Sequence, residues 1–244
     1  MQTLLKLSII YVFGGTIGWI TEFFFRRAVH KKWINPGFLV GPNLPLYGTG
    51  ITLLYAICSM DYSFISSAVW RNVFIIFVIT AAMTAIEYVT GLIFIKGMNV
   101  KLWDYSDRKG NIQGIICPLF TLAWGAAGTA YYFLVHSHLA TLADWIAANP
   151  AYGYFLGIYF GIMIVDVFYS FKVVEKIRKW AKDKNIVVRY EELKETIKAR
   201  AAALKQKHSF LLAFKTNRGL NKELEEMNAP ASSPASSPVP ADKR

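Results

Sequence analysis

Residues 72–95 read NVFIIFVITAAMTAIEYVTGLIFI, twenty-four positions with a single charged side chain, Glu87. A helix needs roughly 20 mostly apolar residues to cross a hydrocarbon core of about 30 Å, so this stretch predicts a membrane-spanning helix. Four further windows meet or approach that length: 4–25, 46–60, 115–136 and 154–174. The expected fold is therefore an all-α, polytopic membrane bundle of about five transmembrane helices. The window at 46–60 is short and begins among prolines and glycines, which suits a helix that tilts or starts inside a protein-lined cavity. The first window carries Glu22 and Arg26 where a signal peptide would place its small-residue cleavage site, so it reads as a retained span.

Composition agrees. Apolar residues make up 54% of 244, aromatics 15%, and the mean hydropathy is positive at +0.32, more than a soluble domain of this size carries. The only cysteines, Cys58 and Cys117, sit in apolar stretches and form neither a disulfide framework nor a zinc-ligand spacing, and no metal site is assigned. Orientation follows from the connections, because basic short loops stay cytoplasmic. Arg26, Arg27, Lys31 and Lys32 follow the first span, and Lys96, Lys101, Arg108 and Lys109 follow the third, whereas the alternate connections are nearly bare. This predicts a multi-pass protein of the cytoplasmic membrane with its N-terminus outside and its C-terminus in the cytoplasm.

Three regions result: a helix bundle over 1–174, a basic cytoplasmic helical tail over 175–227 and a Pro/Ala/Ser-rich segment over 228–244 expected to be disordered. Of 27 basic residues, 17 lie at or beyond Lys172, where nine acids leave about +8 of the total +11. The high pI is a tail property and gives no reason to expect a nucleic-acid partner. The segment 175–212, rich in Lys, Glu, Ala and Leu, is expected to be helical, either lying on anionic lipid or extending the fifth span into solvent.

The two halves share an order of features: an acid late in a span, a cytoplasmic loop with Trp, Gly and Pro, then an aromatic-glycine step. These are Glu22, Trp33, Gly37, Pro42, Pro45 and Tyr47-Gly48 in one, and Glu87, Trp103, Gly114, Pro118 and Trp124-Gly125 in the other. A parallel two-helix repeat plus a fifth helix accounts for this order. Ionisable groups inside a bilayer are costly and default to functional hypotheses. Glu22, Glu87 and Asp166 qualify, lying four, nine and six residues before Arg26, Lys96 and Lys172. Glu22 has a plainer reading as the i,i+4 partner of Arg26. The loop LWDYSDRKGNIQG, residues 102–114, adds Trp103, Asp104, Tyr105 and Asn111, side chains suited to polar ligands or, on the plainer reading, to headgroup anchoring. Glu22, Glu87, Trp103, Asp104, Tyr105, Asn111 and Asp166 are accordingly the substrate-binding candidates, expected to share one cavity open to the cytoplasm and walled partly by Trp124. The loop NPGFLVGPNLPLYGTG, residues 35–50, has four glycines and three prolines and should form a rigid non-helical entrance.

GFLVGPNLPLYGTG, EYVTG, WDYSDRKGNIQG and the later Trp-Gly together resemble the bacterial CmpB-type family of type IV ABC-transporter permeases, over roughly residues 10–175. The resemblance carries over Glu22, Gly41, Pro42, Pro45, Tyr47, Gly48, Glu87, Trp103, Asp104, Tyr105, Asn111, Gly114 and Trp124 as motif positions without roles. Gly41, Pro42, Pro45, Tyr47, Gly48, Gly114 and Trp124 read as loop-structural. Where that family often has Arg-Gly before Phe-Leu and Gly-Arg-Ile after the asparagine, this chain has Pro36-Gly37 and Gly114-Ile115.

Three readings follow. One is a permease-like transport component whose acids line a cation, proton or polar-solute path. It would work with a separate ATPase subunit, because no P-loop GxxxxGK[ST] occurs, and as a homo-oligomer, because five helices are few for a pathway. It requires no cofactor. A second is an enzyme acting on a lipid or polyprenyl headgroup at the cytoplasmic face, for which Mg²⁺ on carboxylates would be the natural cofactor. The third is a non-catalytic scaffold or sensor. Whether the chain is an enzyme stays open at this level.

Overall fold

The computed structural model describes residues 2–31, 33–203, 211–215, 219–227 and 241–243. It is predominantly helical: α1 (Gln2–His30), α2 (Pro45–Cys58), α3 (Ala68–Leu92), α4 (Pro118–Ala130), α5 (His136–Ala147) and α6 (Tyr152–Asp183) precede two shorter tail helices. A π-helical turn, Ile93–Gly97, extends α3, and another, Tyr131–Val135, joins α4 to α5. Three helical stretches, Gln2–Val29, Ala68–Gly97 and Tyr152–Asp183, are long and apolar enough to cross a membrane, while Pro45–Cys58 is apolar but shorter. At about 1.5 Å per residue α2 covers only some two-thirds of a hydrocarbon core.

What shortens α2 is the path of the chain before it. After α1 the backbone turns back along that helix, and the Leu44 N–H donates to the carbonyl of Gly15 at 3.0 Å, halfway up α1. The Trp19 indole donates to Asn35 Oδ1 at 2.7 Å on the way. Irregular backbone survives at membrane depth only when protein groups satisfy it. Here the Asn35 amide donates to the carbonyls of Leu39 and Val40. Close approach depends on Gly18, where a Cβ would lie 2.5 Å from Tyr47 Cβ.

The second half repeats the device. Residues after the π-turn fold back along α3, so that a Cβ on Gly91 would lie 2.3 Å from Ile115 Cγ2, and the Trp103 indole donates to the Ile115 carbonyl at 2.9 Å. Both α2 and α4 open with a proline, Pro45 and Pro118, in the first turn. There the missing N–H would have had no helical partner.

The ends of α1 are tied to different partners. Lys6 pairs with Asp144 near the end of α5 at 2.6 Å, and Arg26 pairs with Glu191 of the tail.

Beyond the bundle the segment 175–212, expected to be helical, is helical over most of its described length but interrupted by a strand, with residues 204–210 outside the described residues. α6 runs on to Asp183, Asn185 turns the chain with φ of 52°, and Ile186–Arg189 forms strand β2. The β-branched run Ile186, Val187, Val188 favours strand over helix, and Val188 finds a parallel partner in Val100 of strand β1 (Val100–Lys101). Ala241–Lys243, β3, pairs antiparallel on the other side of β2. Tail helix α7 (Tyr190–Ala203) and the short α8 (Leu220–Glu226) follow β2. Val100, Val174, Ile177, Val188, Leu193, Ile197 and Leu224 form one buried cluster. The tail is therefore packed against the second loop rather than extended into solvent. Residues 228–240 and 244, most of the segment expected to be disordered, lie outside the described residues.

Candidate functional site

The fold brings the acids of α1 and α3 together with aromatics of α2, α4 and the second loop. On α1, Glu22 accepts from the Tyr47 hydroxyl at 3.2 Å and pairs with Arg26 at 3.0 Å. On α3, Glu87 is 3% exposed and accepts from the Tyr105 hydroxyl at 3.1 Å. The Trp124 indole is near the same carboxyl, at a geometry short of a hydrogen bond. Tyr47 and Trp124 bridge the halves through an edge-on ring contact, centroids 5.7 Å apart, and Tyr105 stacks on Phe120 at 4.2 Å. Glu22, Tyr47, Trp124, Glu87 and Tyr105 thus make one chain of polar and aromatic groups across the bundle.

Trp103 and Asp104 belong to a second place. With Arg26, Arg189, Tyr190 and Glu191 they line a cavity of about 540 Å³ between the second loop and the tail. Asp104 accepts from the backbone N–H and hydroxyl of Ser106 and faces Arg189 at 3.0 Å and Lys101 at 3.4 Å. Burial alone would raise its carboxyl, but the Ser106 hydrogen bonds and the two cations outweigh that and hold it below the usual aspartate range. Arg26 joins the two places, since its guanidinium contacts Glu22 on one side and Glu191 on the other.

Two other candidates work on backbone. Asn111 donates to the carbonyls of Ser106 and Arg108 and accepts from the Gly114 N–H, which closes the turn of the second loop. Asp166 on α6 accepts from the backbone N–H groups of Val40 and Gly41 at 2.9 and 2.6 Å and from the Ser170 hydroxyl. It caps the inserted first loop from outside the helix pair. Of the motif glycines, Gly41 faces this carboxylate, and Gly48 packs against Tyr11.

Residues outside the sequence-derived set matter as much. Asn35 organises the first loop, Asn43 donates to the Tyr159 hydroxyl at 2.6 Å, and Arg189 answers Asp104. Asn-Pro and Pro-Asn steps in the first loop were the available signal for the two asparagines. Lys194 had none. On α7 it is buried, 5% exposed, donating to the carbonyls of Asn35 at 3.2 Å and Gly37 at 2.6 Å beneath the Tyr190 ring.

Burial and the nearby Arg26 charge lower the Lys194 ammonium from the ordinary 10.5 to about 8, against the opposing effect of Glu191. Between these values the unfolded tail holds a proton that the docked tail has shed, so docking strengthens as pH rises from about 8 towards 10.5 and is flat below. Protease protection of the tail should therefore increase over that window, by at most tenfold per pH unit, and the increase should vanish in Lys194→Met.

A family model described as "Putative ABC-transporter type IV" matches residues 9–171. No curated protein and no solved structure matches the chain.

Proposed function

The chain belongs to the family "Putative ABC-transporter type IV", and from that premise we propose that it is the membrane-embedded, permease-like component of a transporter, with a polar cavity facing the cytoplasm. The observation that carries the reading is the pair of inserted loops. They fold back between helices that carry Glu22, Tyr47, Glu87 and Trp124, and with Tyr105 of the second loop these groups form one line; within a bilayer, irregular backbone and carboxylates are expensive and recur in solute paths. Trp103 and Asp104 line the cavity on the tail side, at the mouth of that line.

In this reading the chain crosses the bilayer five times, N-terminus outside and C-terminus in the cytoplasm. The Lys6–Asp144 pair supports a shared outer face for the start of α1 and the end of α5. The Arg26–Glu191 pair and the β1–β2 pairing support a shared inner face for both inserted loops and the tail. Asn111, Gly114 and Asp166 keep the loops in shape. A separate ATPase subunit supplies the energy, since the sequence holds no P-loop, and a homo-oligomer completes the pathway.

The test combines topology with partnership. A cysteine at Asn149, exposed between α5 and α6, should react with an impermeant thiol reagent from outside intact cells. One at Lys109, exposed in the second loop, should be protected. Purification into native lipid discs should then retain a P-loop ATPase in fixed stoichiometry. Outside labelling at position 109, or a purified assembly with no ATPase, would sink the proposal.

A further inference from the structure

Glu22 and Glu87 occupy matching places in the two halves, yet they are provided for differently. Glu22 has a counter-charge on its own helix, Arg26, with Nη2 at 3.0 Å. Glu87 has no ion pair among the described residues. Its Oε1 accepts from Tyr105 at 3.1 Å, while its Oε2 is buried without a hydrogen-bond partner, as is the Trp124 indole nitrogen. The other ionisable groups near this carboxyl are Tyr47 from α2 and, beyond Tyr105, Cys117 from the second loop. None of them brings a positive charge. Arg26, the basic residue on the neighbouring half of the site, is held between Glu22 and Glu191.

A buried carboxylate is costly unless donors or a cation offset its charge. Glu87 has the Tyr105 hydroxyl as a donor, the Trp124 indole as a neighbouring one, and no cation among the described residues. We propose that Glu87 is a binding site for a single exchangeable positive charge, most simply a proton. Alkali and alkaline-earth cations require several oxygen ligands, and beyond its own two oxygens Glu87 has one hydroxyl in contact, that of Tyr105. A proton needs only Oε2 itself.

Tyr105, half-buried, stands between Glu87 and the cavity that its chain neighbours Asp104 and Ser106 line, and it is the group through which exchange would pass. The proton leaves Glu87 Oε2 for water only as another proton or a cationic solute takes its place, so the carboxyl is not left as a bare anion and the charge at the site stays balanced. The occupancy of Glu87 stands by itself, whereas its use in coupling transport to protons rests on the transport reading.

Infrared spectroscopy on the full-length protein in lipid, at neutral pH in sodium-free and in sodium-containing buffer, tests the occupancy without any substrate. The expected result is the carbonyl stretch of a protonated carboxyl, absent in Glu87→Gln, retained in Glu22→Gln, and shifted in Tyr105→Phe, which removes the hydroxyl donor. Glutamine imitates the neutral acid in shape, so Glu87→Gln should fold. A carboxylate stretch that moves with sodium and disappears in Glu87→Gln would also support a single-charge site and would identify an alkali ion as its occupant. A Glu87 that is ionised at neutral pH and whose carboxylate stretch does not move with sodium would overturn the proposal. Absence of an ATPase partner would overturn the transport reading and leave this result standing.

Discussion

Arg26→Gln should destabilise the folded protein by about 2 kcal/mol and release the tail from the bundle. Removing one member of a buried ion pair costs about 3–5 kcal/mol because its partner is left charged and unpaired. The Arg26 side chain is 18% exposed, Glu22 23% and Glu191 32%, so water reduces that figure. The substitution strands two carboxylates, one within the bundle and one on α7. Adding Glu22→Gln to Arg26→Gln should recover part of the loss, because one of the stranded charges is then gone. Thermal unfolding in detergent, with protease sensitivity of the tail as a second probe, measures both effects. If the double variant is no more stable than Arg26→Gln alone, the two residues do not act on one another and Arg26 serves the tail only.

Asp166→Ala should cost about 2–3 kcal/mol, an effect at least as large as the first. The carboxylate satisfies two half-buried backbone donors, Val40 N–H and Gly41 N–H; a buried donor left unmade costs about 1–3 kcal/mol, and partial exposure places each of these in the lower part of that range. Asp166→Asn should be almost as damaging, since the new amide keeps one acceptor and turns its NH₂ towards a backbone N–H. A residue whose task was to carry solute or charge would behave otherwise, with the asparagine variant folding normally and losing transport alone. Thermal unfolding of both variants decides between the cap and the carrier. Wild-type stability in Asp166→Asn would refute the cap.

Much of the architecture was legible in the chain. Apolar runs reveal themselves without tertiary information because a bilayer imposes a length on each segment by itself. The late start of the second helix was visible in Pro42 and Pro45, since proline is tolerated before a helix or in its first turn but not in its interior. The tail was less legible. Its Lys- and Glu-rich composition favours helix by local propensity, and the strand at Ile186–Arg189 exists because Val100 lies alongside to pair with Val188.

For the site, the sequence by itself determined which groups would be expensive: Glu22, Glu87 and Asp166 stand in apolar surroundings whatever the fold. It also marked the two loops as non-helical and polar. Which of these groups answers which was decided only by tertiary structure, because the answering groups are far apart in the chain. Val40 and Asp166 are 126 positions apart, Arg26 and Glu191 are 165, and Lys194 reaches Gly37 across 157. Local chemistry fixes the cost of burying a charge, and the fold alone supplies the donor, cation or backbone that offsets it. Three acids that look alike in sequence therefore end as an ion-paired residue, a buried carboxyl with no counter-ion among the described residues and a cap on a loop.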